Sequence, residues 1–298
     1  KLPASIVKEY AKQDVDLTFK LWNLFNKKID EVLYTKDDGE QKTCRQIFEL
    51  ETKLFLCLVD MKFKGVRIDV AKAIEFGRHL KKRREQILKA IESLTTVRVD
   101  IWAAASIKKL LDHLHIKDYK VTPKSKMPQL PKDYLKTHSN KCLRMIAKAR
   151  EYDKAANTFI DGLLEYVHEG RIHADINQIR SDQGGTVTGR FSYSNPNLQQ
   201  IPARNKDLGP LIRSLFVPEE GCEWGCFDYS QQEPRLVVHY ASLDQDTSVF
   251  GVKDAYLNSD ADFHTTVSKM ADIPREQAKT INLGLFYGMG KAKLQAEL

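Results

Sequence analysis

Cysteine is scarce and scattered in this sequence. Five cysteines in 298 residues are too few to staple a disulfide scaffold. The nearest pair, Cys222 and Cys226, has no adjacent His or second Cys pair to complete a zinc site; both are expected as reduced core residues. No apolar run reaches the roughly 18 residues that a membrane span requires, so no membrane partner is expected. The first residues, Lys1-Leu2-Pro3, pass straight into polar, helix-like sequence with no initiator Met and no signal-peptide pattern. Acidic residues are in the minority, 40 against 47 basic, which leaves a net charge of +7. That excess suits a polyanionic partner, and it equally suits a solvated basic face. No fixed-period repeat or long low-complexity tract occurs.

What is present is enough for a sizeable core: 42% apolar and 29% charged residues exclude bulk disorder. The length allows two domains or one large one. Residues 1–34 read as a helix end followed by another helix, and 35–43, with Asp37-Asp38-Gly39, as a polar turn. From Arg45 to Met61, Ile47, Leu50, Leu54, Leu58 and Met61 recur at helical spacing, and Gly65 ends the run. A long helix is predicted over 70–94, with Ile74, Leu80, Ile87, Ile91 and Leu94 on one side. Arg78, Lys81, Lys82, Arg83, Arg84 and Lys89 lie on the other. That basic side can track phosphates or simply face water. A short helix is predicted over 103–115, a mobile Lys/Pro/Ser loop over 120–133, and helix again over 140–168. After residue 170 Gly, Ser, Asn and Pro become common, Arg171 to Ile176 alternates, and Cys222 to Asp228 reads as a short strand ending in a carboxylate. A domain boundary is expected there, helical before and mixed α/β after.

Two segments carry chemistry. In Phe227-Asp228-Tyr229-Ser230-Gln231-Gln232-Glu233-Pro234-Arg235, a strand delivers Asp228 to its edge and a helix follows, with Pro234 in the first turn. Such a carboxylate can hold a hard cation or act as a plain helix cap. The second segment runs from Asp272 to Gly288. Asp272 is a candidate cap and Pro274 opens the helix. Arg275, Lys279, Leu283 and Tyr287 are spaced by four and form one stripe. Two cations, an apolar side chain and an aromatic can grip a triphosphate, a sugar and a base; the same stripe also suits an ordinary surface helix. Gly284 and Gly288 leave room for close approach.

The two segments together resemble motifs A and B of the family A DNA polymerases, the Pol I and phage-replicase type. Four further stretches fall in the family's order. Thr188-Gly189-Arg190-Phe191-Ser192 resembles its Thr-Gly-Arg-Leu-Ser. Asn195-Pro196-Asn197-Leu198-Gln199-Gln200-Ile201-Pro202 resembles its Pro-Asn-Leu-Gln-Asn-Ile-Pro. Ile212-Arg213 and Asp262-Phe263-His264 also match. The resemblance covers about residue 45 to the end. Tyr10 and Asp14 resemble the Tyr-x-x-x-Asp motif that closes the preceding 3′→5′ exonuclease site, as a vestige without proofreading.

The resemblance implies an α+β fold of right-hand polymerase architecture, incomplete here. Residues 1–34 would be the C-terminal end of an exonuclease domain and 35–169 a helical thumb with connecting segments. Residues 170–248 would be a partial palm (antiparallel sheet with helices) carrying motif A, and 249–298 the start of helical fingers with motif B. It implies template-directed addition of dNTPs to a primer 3′ end with two Mg²⁺ ions, in the cytoplasm, or the host cytoplasm for a phage protein. Asp228 matches the carboxylate that bridges both ions, and the Tyr229 carbonyl would complete part of the shell. Arg275 and Lys279 match the residues that neutralise the triphosphate, Lys279 also as an acid for pyrophosphate. Arg213, Gln231 and His264 match further nucleotide contacts. Glu233 matches the side chain that crowds the sugar 2′ position, and Tyr287 the tyrosine that pairs with it. Arg190, Asn197, Gln199 and Arg235 match contacts to primer–template DNA. Leu283 departs from the family's Phe or Tyr. Gln232 and Pro234 depart from its aliphatic residues and suggest a phage branch. The His-Asp-Glu motif of the second catalytic carboxylate does not occur. The chain alone is therefore expected to be inactive, as a truncated piece, a split-polymerase half with a C-terminal partner fragment, or a non-catalytic primer–template binding module.

Overall fold

The computed structural model describes residues 3–36, 39–182, 184–203, 205–243, 249–258 and 262–297. Asp37 and Asp38 of the polar turn lie outside them. The described residues are helix-rich with small antiparallel sheets. They divide into two compact units, Lys1–Cys222 and Glu223–Leu298.

The first unit opens with one continuous helix, α1 (Ala4–Lys28), where two had been expected. Nothing between residues 4 and 28 is a Gly or Pro that would break it. Strands β1 (Tyr34–Thr35) and β2 (Gln41–Lys42) form a hairpin around the polar turn. Helix α2 (Arg45–Lys64) follows. Arg45 fastens it to the end of α1: its Nε and Nη2 donate to Asp30 at 2.8 and 2.6 Å, and Nη2 also reaches the Asn26 carbonyl at 3.0 Å. Gly65 ends α2 with φ of 64°. A Cβ there would lie 2.8 Å from the Ile172 carbonyl oxygen, so this glycine is required both by its conformation and by its neighbour.

Strand β3 (Val66–Arg67) leads to α3 (Val70–Thr95), which Asp69 caps by accepting from the Lys72 amide at 2.9 Å. Its 26 residues span about 39 Å. Helix α4 (Ala104–His113) follows. The Lys/Pro/Ser stretch is not a free loop: β4 (Lys120–Val121) pairs with β5 (Pro128–Gln129), and α5 (Lys132–Thr137) begins inside it. The next helix, α6 (Lys141–Lys154), runs into a π-helical segment at Ala155–Asp161 and a last turn, α7 (Gly162–Leu164). The expected helix therefore stops short of residue 168, because Val167–His168 is strand β6, which pairs with β7 (Arg171–Ile172).

β7 also pairs with β3, so the change of texture near residue 170 does not separate compact units. The alternating run breaks at His173, since β8 (Asp175–Asn177) leaves for a different partner, β9 (Ser192–Ser194). Helix α8 (Gly209–Arg213) completes the unit.

Two apolar cores lie along α3. The first gathers Ala73 and Leu80 of α3 with Ala156, Ile160, Ile172, Ile212 and Leu215. The second gathers Ile91 with Ile107, Leu110, Leu111, Leu143 and Ile146. The side chains between them are polar. Asp153, nearly buried, accepts from Arg84 Nη1, from Trp102 Nε1 at 2.7 Å and from Asn157 Nδ2 at 3.0 Å. Lys81 pairs with Asp161 at 2.6 Å.

The second unit contains α9 (Gln232–Leu243), α10 (Phe250–Asn258), α11 (Phe263–Ala271), α12 (Arg275–Phe286) and α13 (Lys291–Glu297). The strand expected at Cys222 to Asp228 does not form; residues 222–229 have no regular structure and are exposed. A strand is held by its neighbours, and among the described residues none pairs with this one. For the same reason Cys222 and Cys226 are exposed, not core residues as expected. Asp272 does not cap α12. It sits at the end of α11 in the left-handed region, φ 52°, and α12 starts after Pro274 with no side-chain cap.

A candidate nucleotide-binding face on the second unit

Motif A begins in the irregular segment and enters α9. Asp228 is exposed on that segment and has no hydrogen-bond partner among the described residues. Gln231 adopts φ of 52°, and its amide oxygen accepts from the Tyr256 hydroxyl at 3.1 Å and the Phe263 amide at 2.9 Å. This predicted nucleotide contact thus also ties α10 and α11 to the turn before α9. Arg235 is likewise engaged. Its Nε donates to the Ser230 carbonyl at 2.9 Å, and its guanidinium lies 4.6 Å from the Tyr256 ring centroid. Pro234 is buried in the first turn of α9, as its missing N–H allows.

Motif B forms α12. Ala278, Ile281 and Asn282 make its buried side; Arg275, Lys279 and Tyr287 are exposed and Leu283 half-buried. Phe263 of α11 stacks on Phe286 with centroids 6.0 Å apart. At the far end the Tyr287 hydroxyl donates to Glu233 Oε1 at 2.7 Å, which joins motif B to motif A. Gly284 does not leave an open space, since a Cβ there would meet the Met289 side chain at 1.8 Å. Gly288 turns the chain with φ of 77°.

Sequence reasoning named the Asp262-Phe263-His264 match and His264 as a nucleotide contact, but missed how Asp262, Thr265 and Asn282 hold the basic end of this face. Asp262 caps α11, with Oδ1 accepting from the His264 amide at 3.0 Å. Its Oδ2 accepts from Thr265 Oγ1 at 2.7 Å and from Arg275 Nε at 2.6 Å. Burial pushes this carboxyl up, but the hydrogen bonds from Arg275 and Thr265 outweigh it and hold its pKa at about 2. His264 is buried and meets the Asn282 side-chain amide at 3.1 Å. Because Asn282 Nδ2 is a donor, His264 Nδ1 accepts and the ring proton sits on Nε2. Burial lowers the His264 pKa; Asp262 opposes this, and Arg275 and Lys279 reinforce it. The ring is therefore neutral at pH 7. Two signals were legible for these residues. Asp262 precedes a helix as a cap should, and Asn282 is a polar residue on the same helical face as Ala278 and Ile281.

Asp262 contributes to the acid behaviour. Its folded pKa lies below the unfolded value of about 3.9. The stabilisation is therefore complete above pH 4 and lost as pH falls toward 2. Acid titration of folding, followed by circular dichroism, is expected to show a contribution of about 2 kcal/mol from this group over that window; in the Asp262→Asn variant the loss should be smaller by that amount, the remainder coming from Asp30, Glu40, Asp175 and Glu219, whose cationic partners also hold them low.

In the first unit the predicted DNA contacts are partly occupied by local structure. Asn197 accepts from the Gln199 amide at 3.1 Å, and Gln199 Nε2 donates to the Phe191 carbonyl at 3.1 Å. Arg190 and Arg213 are exposed. Tyr10 and Asp14 are exposed on one side of α1.

The Asp228 carboxylate and the Tyr229 carbonyl are hard oxygen ligands of the kind Mg²⁺ takes, and two such donors suit an ion that keeps several waters. No group of three or more His, Cys, Asp or Glu residues placed to hold a metal occurs among the described residues. Also among them, no helix is long and apolar enough to cross a membrane.

Arg275 and Lys279 are thus exposed cations on one side of α12, a pairing of the kind that can hold a polyphosphate. The family model for DNA polymerase family A matches residues 70–298, and the chain belongs to that family. It is 33% identical to a DNA-directed DNA polymerase of Pseudomonas phage M6, over all of this chain and 46% of that protein. It is 31% identical to DNA polymerase DpoZ of Acinetobacter phage SH-Ab 15497, over all of this chain and 49% of that one. The chain thus spans about half the length of these relatives. Thermostable DNA polymerase I of Thermus thermophilus is 30% identical over 92% of the chain and 33% of that protein. The fold is similar to the POL domain of Pol1 from M. smegmatis, solved in complex with DNA primer–template and dNTP. The TM-score is 0.63 at 25% identity, covering 81% of this chain and 42% of that one.

Proposed function

We propose that the chain is the part of a template-directed DNA polymerase that grips the incoming dNTP against a primer–template. In this reading residues 35–169 are the thumb, 170–248 a palm segment and 249–298 the start of the fingers. Tyr10 and Asp14 of residues 1–34 are remnants of an exonuclease site. Arg275 supplies a planar fork and Lys279 a point charge to the triphosphate, and His264 offers its Nε2 proton to a phosphate oxygen. Lys279 is placed to protonate departing pyrophosphate. Glu233, held by Tyr287, closes the space at the sugar 2′ carbon and so rejects ribonucleotides. Arg213 and Gln231 complete the nucleotide contacts; Arg190, Asn197, Gln199 and Arg235 face the DNA. Asp228 and the Tyr229 carbonyl would hold Mg²⁺, which when bound activates the attacking hydroxyl and offsets phosphate charge.

The observation that carries this reading is the Tyr287–Glu233 hydrogen bond. It fastens one end of the motif B stripe to the motif that bears Asp228. Gel shift and primer extension on a labelled primer–template, with dNTPs and Mg²⁺, test it. DNA binding with extension supports the full reading. Binding without extension supports a second one, a primer–template binding module or one half of a split polymerase completed by a C-terminal fragment. Loss of both DNA and nucleotide binding overturns the proposal.

Leu283 gives a smaller test. It provides apolar contact at the sugar position without a flat ring. Leu283→Phe in the assembled polymerase is expected to lower the dNTP concentration for half-maximal incorporation about five-fold, the equivalent of about 1 kcal/mol of added ring contact. It should also change the ratio of dNTP to rNTP use. Unchanged single-nucleotide kinetics would remove Leu283 from the site.

A further inference from the structure

We infer that Asp262 is a positioning residue for the triphosphate, dividing its two carboxylate oxygens between the two helices that carry the phosphate-binding side chains. This rests on the reading of Arg275 and His264 just given. Oδ1 accepts from the His264 amide and so seats α11 with His264 at its start. Oδ2 receives Arg275 Nε at 2.6 Å and Thr265 Oγ1 at 2.7 Å. Thr265 Oγ1 also lies 3.2 Å from Arg275 Nε, so two oxygens meet the inner edge of the guanidinium. The two Nη groups have no hydrogen-bond partner among the described residues.

An arginine that is held by Nε and open at both Nη groups is preset for bidentate contact with phosphate. A free arginine side chain would have to be ordered when the ligand arrives, and that ordering costs affinity. Arg275 is half-exposed, and among the described residues its guanidinium is hydrogen-bonded by Asp262 and Thr265 alone. Asn282 performs the matching task for His264, holding Nδ1 and leaving the Nε2 proton for a ligand. One carboxylate thus sets both the start of α11 and the aim of the first cation on α12.

Asp262→Asn separates the two tasks. Asn is itself a good cap, and its Oδ1 can still accept from the His264 amide. Its Nδ2 is a donor and cannot accept from Arg275 Nε. Affinity for tripolyphosphate without divalent metal is measured by titration calorimetry, well below the melting temperature. Four proteins are compared: the unmodified chain, Asp262→Asn, Arg275→Ala and the double variant. Removing a negative charge beside a polyanion should by itself tighten binding; weaker binding therefore reports lost orientation. Asp262→Asn is expected to weaken binding about five-fold. In the Arg275→Ala background the same substitution should change it less than about two-fold. Equal or tighter binding by Asp262→Asn with Arg275 present overturns the inference and leaves the nucleotide-binding reading intact. So does an equal loss with and without Arg275. No binding by the unmodified chain overturns that reading and this inference with it.

Discussion

Asp228→Asn is expected to lower nucleotide incorporation by the assembled polymerase about a thousand-fold, the loss of about 4 kcal/mol of transition-state stabilisation. The side chain is exposed on a segment without regular structure and has no partner among the described residues. Its removal should therefore change stability by no more than about 0.5 kcal/mol. Primer–template affinity should stay within about two-fold, because Asn keeps the shape and the DNA contacts belong to other residues. Single-turnover incorporation, gel shift and a thermal melt on the same variant separate the three effects. A melt shifted by several degrees, or incorporation within ten-fold of the unmodified enzyme, would show that Asp228 serves structure or nothing at all.

The second large effect concerns stability. Asp153→Ala should destabilise the first unit by about 3 kcal/mol. The carboxylate collects Arg84, Trp102 Nε1 and Asn157 Nδ2 at a nearly buried position. Arg84 Nε is already buried without a hydrogen-bond partner, so the arginine has little to fall back on when its carboxylate goes. Asp153→Asn keeps an acceptor for Trp102 and should cost roughly half as much. Urea unfolding followed by Trp fluorescence measures both; equal and small shifts would mean that water replaces the carboxylate freely.

How far the sequence was legible depended on where each element finds its support. The extent of α3 was readable almost to the residue, because apolar residues recur over many turns and Asp69 stands at its start; its faces were read less well, since Ile74 and Leu94 of the apolar line are exposed and Arg84 of the basic side turns in to Asp153. The motif B stripe was readable because four residues spaced by four fall on one face of α12 whatever surrounds it. The segment from Cys222 to Asp228 was misread because a strand is a property of pairs, and its composition says nothing about whether a neighbour lies beside it. The short strands after residue 166 failed for the same reason: β7 and β8 belong to different sheets although only two residues separate them. In the candidate site the charges that face outward were evident, whereas Asp262, Thr265 and Asn282 were not. Those three touch other side chains, and the distance that makes them matter, 2.6 Å in the case of Asp262 and Arg275, joins residues 13 apart.

The two apolar cores strung along α3 also bear on how this unit comes apart. Because the side chains between them are Lys81, Arg84, Asp153, Asn157 and Asp161, neither core is continuous with the other. Each can open as its own cooperative block. Amide hydrogens near Leu110 and Ile146 are then expected to exchange at a different rate from those near Leu80 and Ile160. One helix would then carry two separate clocks, with Arg84 lying between them.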